Sequence, residues 1–212
     1  MCWATHLSMQ GSGRWRIDVH QGLGAFSGFV FCSGDRGQGA TSITVTGMRH
    51  PLSATSEATP QQLRDAMATF ATGVTIITTR DAEGNPVGLT VNSFSSVSLT
   101  PPLVMWCLGN GSSCRAGFDH HPFFAVHVLA ADQQALAMQF AGAPAQRFEG
   151  VALDTNARGL PILPGCLAVI ECERYQTLEG GDHQIYMGHV LATHQVNAGP
   201  ALVYHQRRFS HT

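Results

Sequence analysis

The most informative absence in this 212-residue sequence is lysine, since all twelve residues that carry a permanent positive charge are arginine. Without lysine the chain has no Walker A phosphate-binding loop, and no lysine that could form a Schiff base or act as a nucleophile. Any phosphate group that the protein binds must therefore be held by arginine, by serine or threonine hydroxyls, or by backbone N–H groups.

Charge and long apolar runs are also scarce. Only 12% of the residues are charged and the formal net charge is −2, so the chain has no global basic field that would attract nucleic acid. No uninterrupted apolar run reaches the roughly 18 residues that a transmembrane helix needs. The sequence therefore predicts no nucleic-acid partner and no membrane partner. With 44% hydrophobic residues, it can form one domain with a substantial core.

Paired cysteine motifs are missing too, because none of the six cysteines belongs to a CxxC pair. Cys166 and Cys172 would share one face of a strand, but six residues of strand span about 20 Å, so these two could neither form a disulfide nor share a metal. The pattern predicts reduced thiols in a cytoplasmic protein. The six positions are Cys2, Cys32, Cys107, Cys114, Cys166 and Cys172.

Common catalytic and metal-binding signatures are not found in the sequence. It contains neither a GxSxG nor an HExxH motif, and the glycines of Gly22–Gly28 do not have the spacing of a dinucleotide-binding fingerprint. Cys114, His120, His121 and His127 lie close together in the sequence, but no pair of them has a standard ligand spacing. Surface histidines that flank a strand are therefore favoured over a metal site.

The first 56 residues differ in composition from the rest of the chain, being rich in glycine, serine and threonine without sustained periodicity. A signal peptide is disfavoured because the apolar stretch Gly22–Ser33 is interrupted by glycine and lies late in the chain. We expect residues 1–56 to be a poorly ordered extension, or to result from a misassigned start, with the natural start at Met48. The folded domain is expected to cover residues 57–212.

A first helix is indicated by the sequence Thr59-Pro60-Gln61-Gln62, which combines an N-cap, a proline at the first helical position and a capping box. Leu63, Met67 and Phe70 then fall on one face of this helix. Gly73 is expected to end the helix in the left-handed conformation.

Two short helices and many short strands are expected further along the chain. The helices cover residues 112–118 and 132–140, the second with Asp132 as its N-cap. Glu171 and Glu173 share one face of a strand, which is expected to be solvated. The strands are expected near 74–79, 88–91, 103–108, 123–129, 166–174, 184–196 and 201–205. Closely spaced strands with small helices between them favour a mainly β protein, built as an antiparallel barrel, over a doubly wound sheet.

The most informative segment that is present runs from Thr90 to Ser98, where short hydroxyl and amide side chains alternate with apolar ones. Such a surface suits a flat, mostly apolar ligand with polar edges and an anionic tail, because hydroxyls and backbone N–H groups can hold a phosphate. On composition alone, an edge strand with solvated hydroxyls is the more common explanation of such a run.

Several short segments, none of them specific alone, occur in the order typical of one family. They are Phe70–Thr78, Gly88–Phe94, Ser95–Leu99, Pro101–Val104, Phe140–Ala141, Phe148–Val151, Pro161–Cys166, Gly181–His183 and Ala201–Tyr204. Through these segments, residues 63 to about 209 resemble the flavin reductase family, the FMN-binding split-barrel reductases that serve two-component monooxygenases.

The resemblance implies a Greek-key split β-barrel that forms a homodimer, with flavin near the subunit interface. It implies hydride transfer from NADH or NADPH to FMN or FAD, after which diffusible reduced flavin reaches a separate flavin-dependent monooxygenase. Hydride transfer needs no protein nucleophile or base, but only a nicotinamide held against the flavin ring. A chain without a catalytic triad or a metal motif can therefore still be an enzyme.

The resemblance also assigns site residues. It implies that Gly181, Asp182 and His183 form a loop beside the nicotinamide, with His183 at the family position associated with nicotinamide binding. An imidazole there could hydrogen-bond the carboxamide or neighbour a phosphate. Ser112 and Ser113 would reach the phosphate or the ribityl chain of the flavin. The residues expected to bind the rest of the flavin are Thr90, Val91, Asn92, Ser93, Ser95, Ser96 and Phe148.

Some of these residues have plainer interpretations when taken singly. Phe94 and Phe148 are the kind of residue that more often lies in a core, and Arg147 alone is usually a surface charge. Where the family sometimes has a phosphate-side lysine, this chain must use arginine or a hydroxyl.

Two other functions are open for such a fold. One is a flavin- or haem-binding split-barrel protein without turnover, which would have no use for the Gly181–His183 loop. The other is an oxidase of the pyridoxamine-phosphate type, which the lack of lysine and of an arginine-rich phosphate pocket argues against.

Overall fold

The computed structural model describes residues 57–212 in full and, among the first 56 residues, the backbone of three strands. These strands, β1 (Thr5–Gln10), β2 (Arg14–Gln21) and β3 (Gly24–Val30), form an antiparallel sheet in the order β1-β2-β3. Residues 1–55 form one unit and residues 56–212 a second. The expectations of a poorly ordered extension and of a start at Met48 lie outside the described residues and stay predictions.

The second unit is mainly β with short helices, as the sequence indicates. Its helices are α1 (Pro60–Ala68), α2 (Arg115–His120) and α3 (Gln134–Ala141), with 3-10 turns at Ala131–Gln133 and Pro144–Gln146. Its strands are β4 (Thr72–Gly73), β5 (Thr75–Arg80), β6 (Pro86–Val91), β7 (Ser95–Leu99), β8 (Pro102–Gly109), β9 (Phe123–Val128), β10 (Asp154–Thr155), β11 (Pro161–Ile162), β12 (Ala168–Gly180), β13 (His183–Gln195), β14 (Leu202–His205) and β15 (Arg208–His211).

Seven of these strands form one antiparallel sheet in the order β6-β5-β9-β12-β13-β8-β7. In this order β8 and β9 are three positions apart, so in a flat sheet their backbones would be about 14 Å from each other. The rings of Trp106 on β8 and Phe124 on β9 nevertheless meet edge to face, with their centroids 5.9 Å apart. The sheet therefore curls round its core, and the expected antiparallel barrel is confirmed. A smaller sheet, in the order β15-β14-β4, accompanies it.

Apolar layers cover both faces of the curled sheet, because successive residues of a strand point to opposite sides. On β5, Ile77 packs into the barrel interior with Trp106 and Tyr186. Its neighbour Ile76 packs on the outer face with Phe140 of α3. The same alternation of inward and outward side chains continues on β6. It determines which residues near Thr90 point into the core and which point toward a possible ligand.

The start of α1 is as expected, but its end is not. The Thr59 hydroxyl accepts a hydrogen bond from the Gln62 N–H at 3.2 Å, and the Gln62 side chain accepts one from the Thr59 N–H at 2.8 Å. This confirms the capping box. The prediction that Gly73 ends the helix was wrong, because the helix stops at Ala68 and Gly73 pairs with Val203 in the smaller sheet. Strand pairing here outweighs the local preference of glycine for a helix end.

The apolar side of α1 points away from the core. Leu63, Met67 and Phe70 are 59%, 55% and 64% exposed, and α1 buries none of its residues in the described part of the chain. An amphipathic helix normally turns this side inward, so these side chains are available to something other than their own barrel.

Two further local predictions were wrong. Asp132 does not cap a helix, because it lies inside the 3-10 turn that precedes α3. Gln133 takes the capping role, since its side-chain oxygen accepts a hydrogen bond from the Ala130 N–H at 3.0 Å. Cys166 precedes β12 instead of belonging to it, because the Pro164-Gly165 turn delays the start of that strand to Ala168.

The expectation of a solvated glutamate face on β12 was wrong for Glu171. A register shift between Glu171 and Cys172 places both side chains in buried positions. Glu171 is only 6% exposed, and it is paired with Arg158 at 2.8 Å and with His194 at 3.2 Å. A buried carboxylate needs such partners, and neither of them could be read from the i, i+2 spacing.

Within the part of the chain that the structure describes, no helix is long and apolar enough to cross a membrane.

Candidate functional site

A cavity of about 750 Å³ lies where α1 and the residues directly after it face the connection between β6 and β7. Asn92, Ser93 and Ser95, three of the expected flavin-binding residues, line it together. The other lining residues are Arg64, Met67, Ala68, Phe70, Ala71, Thr72, Gly73, Phe94, Tyr204 and Arg207. The structure thus brings the polar run opposite the apolar side of α1, so one wall offers hydrogen bonds and the other offers apolar surface.

Ser93 is fixed at the end of β6 by the backbone of β8. Its hydroxyl oxygen accepts a hydrogen bond from the Cys107 N–H at 3.0 Å, and its contact with the Cys107 carbonyl is longer, at 3.4 Å. Because that second contact is weak, the hydroxyl hydrogen can turn toward an acceptor atom in the cavity. Ser93 is therefore a positioned donor.

Thr90 and Val91 have different surroundings from Ser93. Thr90 donates its hydroxyl hydrogen to the Ala137 carbonyl at 2.6 Å, so its oxygen is left mainly as an acceptor. It lines a second cavity of about 270 Å³, which shares Asn92 and Tyr204 with the larger one. Val91 is 5% exposed and its side chain packs in the barrel interior, so its backbone is the part that could contact a cofactor, and its role stays a prediction.

Ser95 and Ser96 begin β7 and therefore point in different directions. Ser95 lines the large cavity, whereas Ser96 is paired with Val104 of β8 and lies outside that lining. Both are exposed. Of the two, the geometry supports Ser95 as a ligand contact, and the role of Ser96 stays a prediction.

Ser112 and Ser113 lie in the loop between β8 and α2. The Ser112 hydroxyl accepts a hydrogen bond from the Cys114 N–H at 3.3 Å, and Ser113 is exposed. Neither lines the large cavity, but the loop lies directly after Gly109, which pairs with His183. The structure therefore groups these serines with the Gly181–His183 hairpin and not with Asn92 to Ser95.

The Gly181–His183 segment forms the tight turn between β12 and β13. Gly181 has a φ of +72°, a conformation that glycine adopts without strain. The turn is tied to the end of β8, because Asn110 donates its N–H to the Asp182 carbonyl at 2.9 Å and its side-chain amide to the Gly181 carbonyl at 3.1 Å. Because the carbonyls of both turn residues are hydrogen-bonded to Asn110, the backbone before His183 is held in one position.

His183 is half exposed and is oriented by its neighbour, since its Nδ1 lies 2.7 Å from the Asp182 carboxylate. The hydrogen bond and the charge of His183 hold the pKa of Asp182 below its ordinary value, and the charge of Arg64 adds to this effect. Because Nδ1 is engaged by Asp182, Nε2 is the ring nitrogen left for a ligand. This is the group that an amide NH₂ of a ligand could meet.

The cavity and the hairpin are close enough to serve one ligand pair. Ser93 bonds to Cys107 on one side of β8, and His183 pairs with Gly109 on the other side. Two strand spacings across and two residues along the strand separate them by roughly 12 Å.

Phe148 lies apart from this site. Its ring packs edge to face on Phe140 with centroids 4.8 Å apart, and a Cβ at Gly88 would meet it at 3.0 Å. It therefore fills the outer apolar layer, as a phenylalanine most often does, and the structure gives no support to a cofactor role.

Arg147 is not a simple surface charge, which is what an arginine taken alone most often is. Its guanidinium donates to the carbonyls of Gly88 and Gly142 at 3.0 Å, and its Nη1 lies 2.7 Å from the sulfur of Cys114. The side chain thus ties the segment after α3 to β6 and to the start of α2. Its role is structural support behind the site.

Sequence reasoning missed ten of the residues that line the large cavity, and all but Phe94 come from segments outside the polar run. Arg64, Met67 and Phe70 share a helical spacing and therefore one side of the α1 segment. The only sequence signal that this side is exposed is its mixture of charged and apolar groups. Tyr204 and Arg207 come from the β14–β15 hairpin, which no local signal connects with α1. Phe94, which taken alone would more often lie in a core, is half-buried and lines the cavity.

The histidine and cysteine group around residue 120 is dispersed in the structure. Among the described residues, no three His, Cys, Asp or Glu side chains are placed to hold a metal ion. The expectation of a surface histidine was wrong for His127, which is fully buried, with Nδ1 at 3.1 Å from the Ile76 carbonyl and Nε2 without a partner among the described residues. Burial lowers the pKa of His127 to about 4, so it is neutral at physiological pH.

Comparison with known proteins decides the family. A model of the flavin reductase like domain matches residues 67–212 of this chain. The chain belongs to the flavin reductase family. The expected family resemblance is thereby confirmed.

Individual members of the flavin reductase family share about two fifths of their residues with this chain. The FMN reductase (NADH) SmoA of Agrobacterium fabrum is 44% identical over 131 residues, which cover 62% of this chain and 74% of SmoA. HsaB of Rhodococcus jostii, the reductase subunit of a flavin-dependent monooxygenase, is 35% identical over 151 residues, which cover 71% of this chain and 77% of HsaB.

A solved structure of the flavin reductase family supports the same fold. The NADH:FAD oxidoreductase SgcE6 of Streptomyces globisporus, in complex with NAD and FAD fragments, is 36% identical with a TM-score of 0.67. The match covers 71% of this chain and 90% of SgcE6. Together with the curled antiparallel sheet, it confirms the split-barrel fold of the second unit.

Proposed function

We propose that this protein is an NAD(P)H-dependent flavin reductase, which transfers hydride from NADH or NADPH to FMN or FAD and supplies diffusible reduced flavin to a separate monooxygenase. The observation that carries the proposal is the joint position of Asn92, Ser93 and Ser95 in the wall of one large cavity of a flavin reductase family member. Relatives that are reductase components of flavin-dependent monooxygenases support the role of the product.

The cavity suits a flavin in both size and chemistry. Its volume of about 750 Å³ lies within the roughly 300–1,000 Å³ that is typical of small-molecule sites. Met67 and Phe70 offer apolar surface to a flat ring, and Asn92 and Ser93 offer hydrogen bonds to its polar edge. Hydroxyl and amide donors at that edge favour the reduced state, in which negative charge accumulates there.

A flavin in this cavity would supply the hydride acceptor. The chain's own residues have to bind the two nucleotides, orient them and exclude water, and none of them has to form a covalent bond. Ser93 is held by β8 so that its hydroxyl can donate into the cavity. His183, held by Asp182, offers Nε2 to the carboxamide of a dihydronicotinamide, which would position the nicotinamide ring without taking part in the hydride transfer.

We also propose that the protein acts as a homodimer in the cytoplasm, with neither a nucleic-acid nor a membrane partner. Exposed apolar side chains on α1 and on the β12–β13 hairpin, such as Leu63 and Leu178, support an interface between two copies. The four cysteines of the described region are free thiols, and burial raises the pKa of Cys166 to about 11 and that of Cys172 to about 12. The thiols of Cys166 and Cys172 therefore stay protonated, which keeps them unreactive.

Steady-state oxidation of NADH and NADPH, with FMN, FAD and riboflavin added in turn, tests the proposed function. We expect oxidation to be slow without flavin and to accelerate when a flavin is added. The proposal fails if no flavin accelerates the oxidation of either nucleotide. A protein that retains flavin tightly but consumes no NADH would instead be a binding protein.

A further inference from the structure

Two arginines line the 750 Å³ cavity, and they come from different parts of the chain. Arg64 lies on α1, and Arg207 lies in the turn between β14 and β15. Because the chain has no lysine, these guanidinium groups are the permanent positive charges that the described cavity wall presents.

Arg207 is held in place by its own turn. Gln206 and Arg207 have φ values of 49° and 61°, which residues other than glycine adopt at a cost and keep only when their surroundings enforce it. Here the Gln206 N–H donates to the carbonyl of Ala68 at 2.7 Å, and the Arg207 guanidinium pairs with the carboxylate of Asp65. The turn is thus tied to α1, which keeps Arg207 in the cavity wall.

Arg64 is adjacent to this ion pair in sequence. Within residues 57–212, no carboxylate lies within ion-pair distance of its guanidinium. Arg64 and Arg207 together carry two positive charges and Asp65 carries one negative charge, so the wall keeps one net positive charge although the whole chain has a formal charge of −2. An anion would enter this cavity with favourable electrostatics.

The chemistry of the proposed ligands makes phosphate the matching anion. A guanidinium group presents several N–H donors in a rigid plane and suits two oxygens of one phosphate. We infer that Arg64 and Arg207 bind a phosphate group of a nucleotide substrate in this cavity. The inference rests on the proposed function and deepens it. The phosphate belongs either to the flavin nucleotide or to the dihydronicotinamide dinucleotide, and riboflavin, which has no phosphate, separates the two sources.

The experiment compares wild type with Arg64→Gln and Arg207→Gln. Binding of riboflavin, FMN and FAD is measured directly by quenching of flavin fluorescence, and KM for NADH is measured with each flavin. Arg208→Gln is the matched control, because Arg208 is the next residue along the same hairpin, is exposed and lies outside the cavity lining. Thermal unfolding of each variant confirms that it is folded.

We expect each cavity variant to lose about tenfold or more in affinity for the phosphate-bearing ligand, as is usual for a charge-assisted hydrogen bond. Weaker binding of FMN and FAD with unchanged riboflavin binding assigns the flavin phosphate. A raised KM for NADH with unchanged binding of all three flavins assigns the dinucleotide. Arg208→Gln should leave both quantities within a factor of two of wild type, a change on the order of 0.4 kcal/mol.

The inference is overturned if riboflavin binding falls as much as FMN binding, or if no affinity changes in either cavity variant. Asp65→Asn separates charge from structure, because it removes the same ion pair but keeps the Arg207 charge. If Asp65→Asn lost as much affinity for FMN and NADH as Arg207→Gln does, the inference would also be overturned, because Asp65→Asn keeps the Arg207 charge. The binding arm needs no turnover, so it tests the arginines even if the wild-type protein does not oxidise NADH.

Discussion

At the scale of the residue, the site depends on side chains whose direction is set by neighbours. Asp182 orients His183 through a 2.7 Å contact, and the Cys107 N–H orients Ser93 through a 3.0 Å hydrogen bond. Neither interaction requires an unusual residue; each requires that two strands of the barrel end at the right place. A flavin reductase that performs no covalent chemistry on its own side chains can therefore be built from serine, asparagine and histidine.

Replacement of His183 tests the nicotinamide contact. His183→Ala should raise KM for NADH or NADPH by about three- to tenfold, the effect of losing one hydrogen bond, and should leave flavin affinity nearly unchanged. Steady-state kinetics and flavin fluorescence measure the two quantities. His120→Ala, which removes an exposed histidine at the end of α2, serves as the control. An equal loss of flavin and nucleotide affinity would contradict the assigned role.

The buried His127 predicts a dependence of stability on pH. Burial lowers its pKa to about 4 in the folded protein, while the unfolded chain takes up a proton near the ordinary value of 6.5. The unfolded state therefore binds more protons between these values, and the free energy of unfolding should fall as pH decreases from about 6.5 to about 4. The total loss is about 3 kcal/mol, at no more than about 1.4 kcal/mol per pH unit.

Urea unfolding at several pH values measures the effect of His127. The readout is the slope of the unfolding free energy against pH. A substitution that destabilises the protein equally at every pH leaves this slope unchanged, so the slope reports the titration of His127 alone. In His127→Gln the slope between pH 6.5 and pH 4 should become shallower than in wild type. Identical slopes in the two proteins would show that His127 is not the group responsible.

The prediction of site residues from sequence succeeded where a residue acts within its own segment. Asn92, Ser93 and Ser95 belong to one polar run, and a strand followed by a turn was enough to suggest that they face a ligand. It did not succeed for Arg207, which reaches the cavity only because a distant hairpin packs on α1. Val91 shows a third case, because the alternation of β6 sends it into the core between two residues that face outward.

At the scale of the element, helix α1 is the part that differs most from an ordinary globular helix. Its capping box fixes where it begins, and that beginning was predictable from Thr59 and Gln62. Its apolar residue Met67, together with Phe70 just after the helix, lines the cavity instead of the core. Amphipathic spacing tells which side of a helix is apolar, but it does not tell what covers that side. For this reason the periodicity of α1 could not predict the cavity.

The β12–β13 hairpin carries the His183 turn, and its packing has little tolerance. Gly188 lies on β13, next to Phe124 of β9 and Cys172 of β12. A Cβ at Gly188 would lie 2.4 Å from Cζ of Phe124 and 2.9 Å from Cβ of Cys172. Real Cβ atoms do not come this close to other atoms, so the hairpin or the Phe124 ring would have to move. The glycine therefore allows β13 to approach β9 and β12 closely.

Gly188→Ala tests this close approach. The substitution should lower the free energy of unfolding by about 1–3 kcal/mol, the usual cost of overpacking a core. Gly111→Ala is the matched control, because a Cβ at Gly111 meets no atom within 4 Å. Urea unfolding of both variants gives the comparison. If Gly188→Ala were as stable as Gly111→Ala, the packing described for the hairpin would be wrong.

At the scale of the whole molecule, the curled sheet is what brings the two halves of the site together. β6 and β7 supply the polar wall, and β12 and β13 supply the His183 turn, with β8 between them. The antiparallel barrel itself was predictable, because short strands with small helices between them leave few other folds. The positions at which Ser93 and His183 meet β8 were not predictable, because strand register depends on tertiary pairing that local sequence does not encode.

The central claim is that the wall formed by Asn92, Ser93 and Ser95 binds the flavin ring within reach of His183. A crystal structure of the protein with FMN tests it most directly. We predict that the ring system lies in the 750 Å³ cavity, with Ser93 or Asn92 at its polar edge and one open face toward the Gly181–His183 turn. A ring bound outside this cavity, or a cavity filled by another part of the protein, would contradict the account.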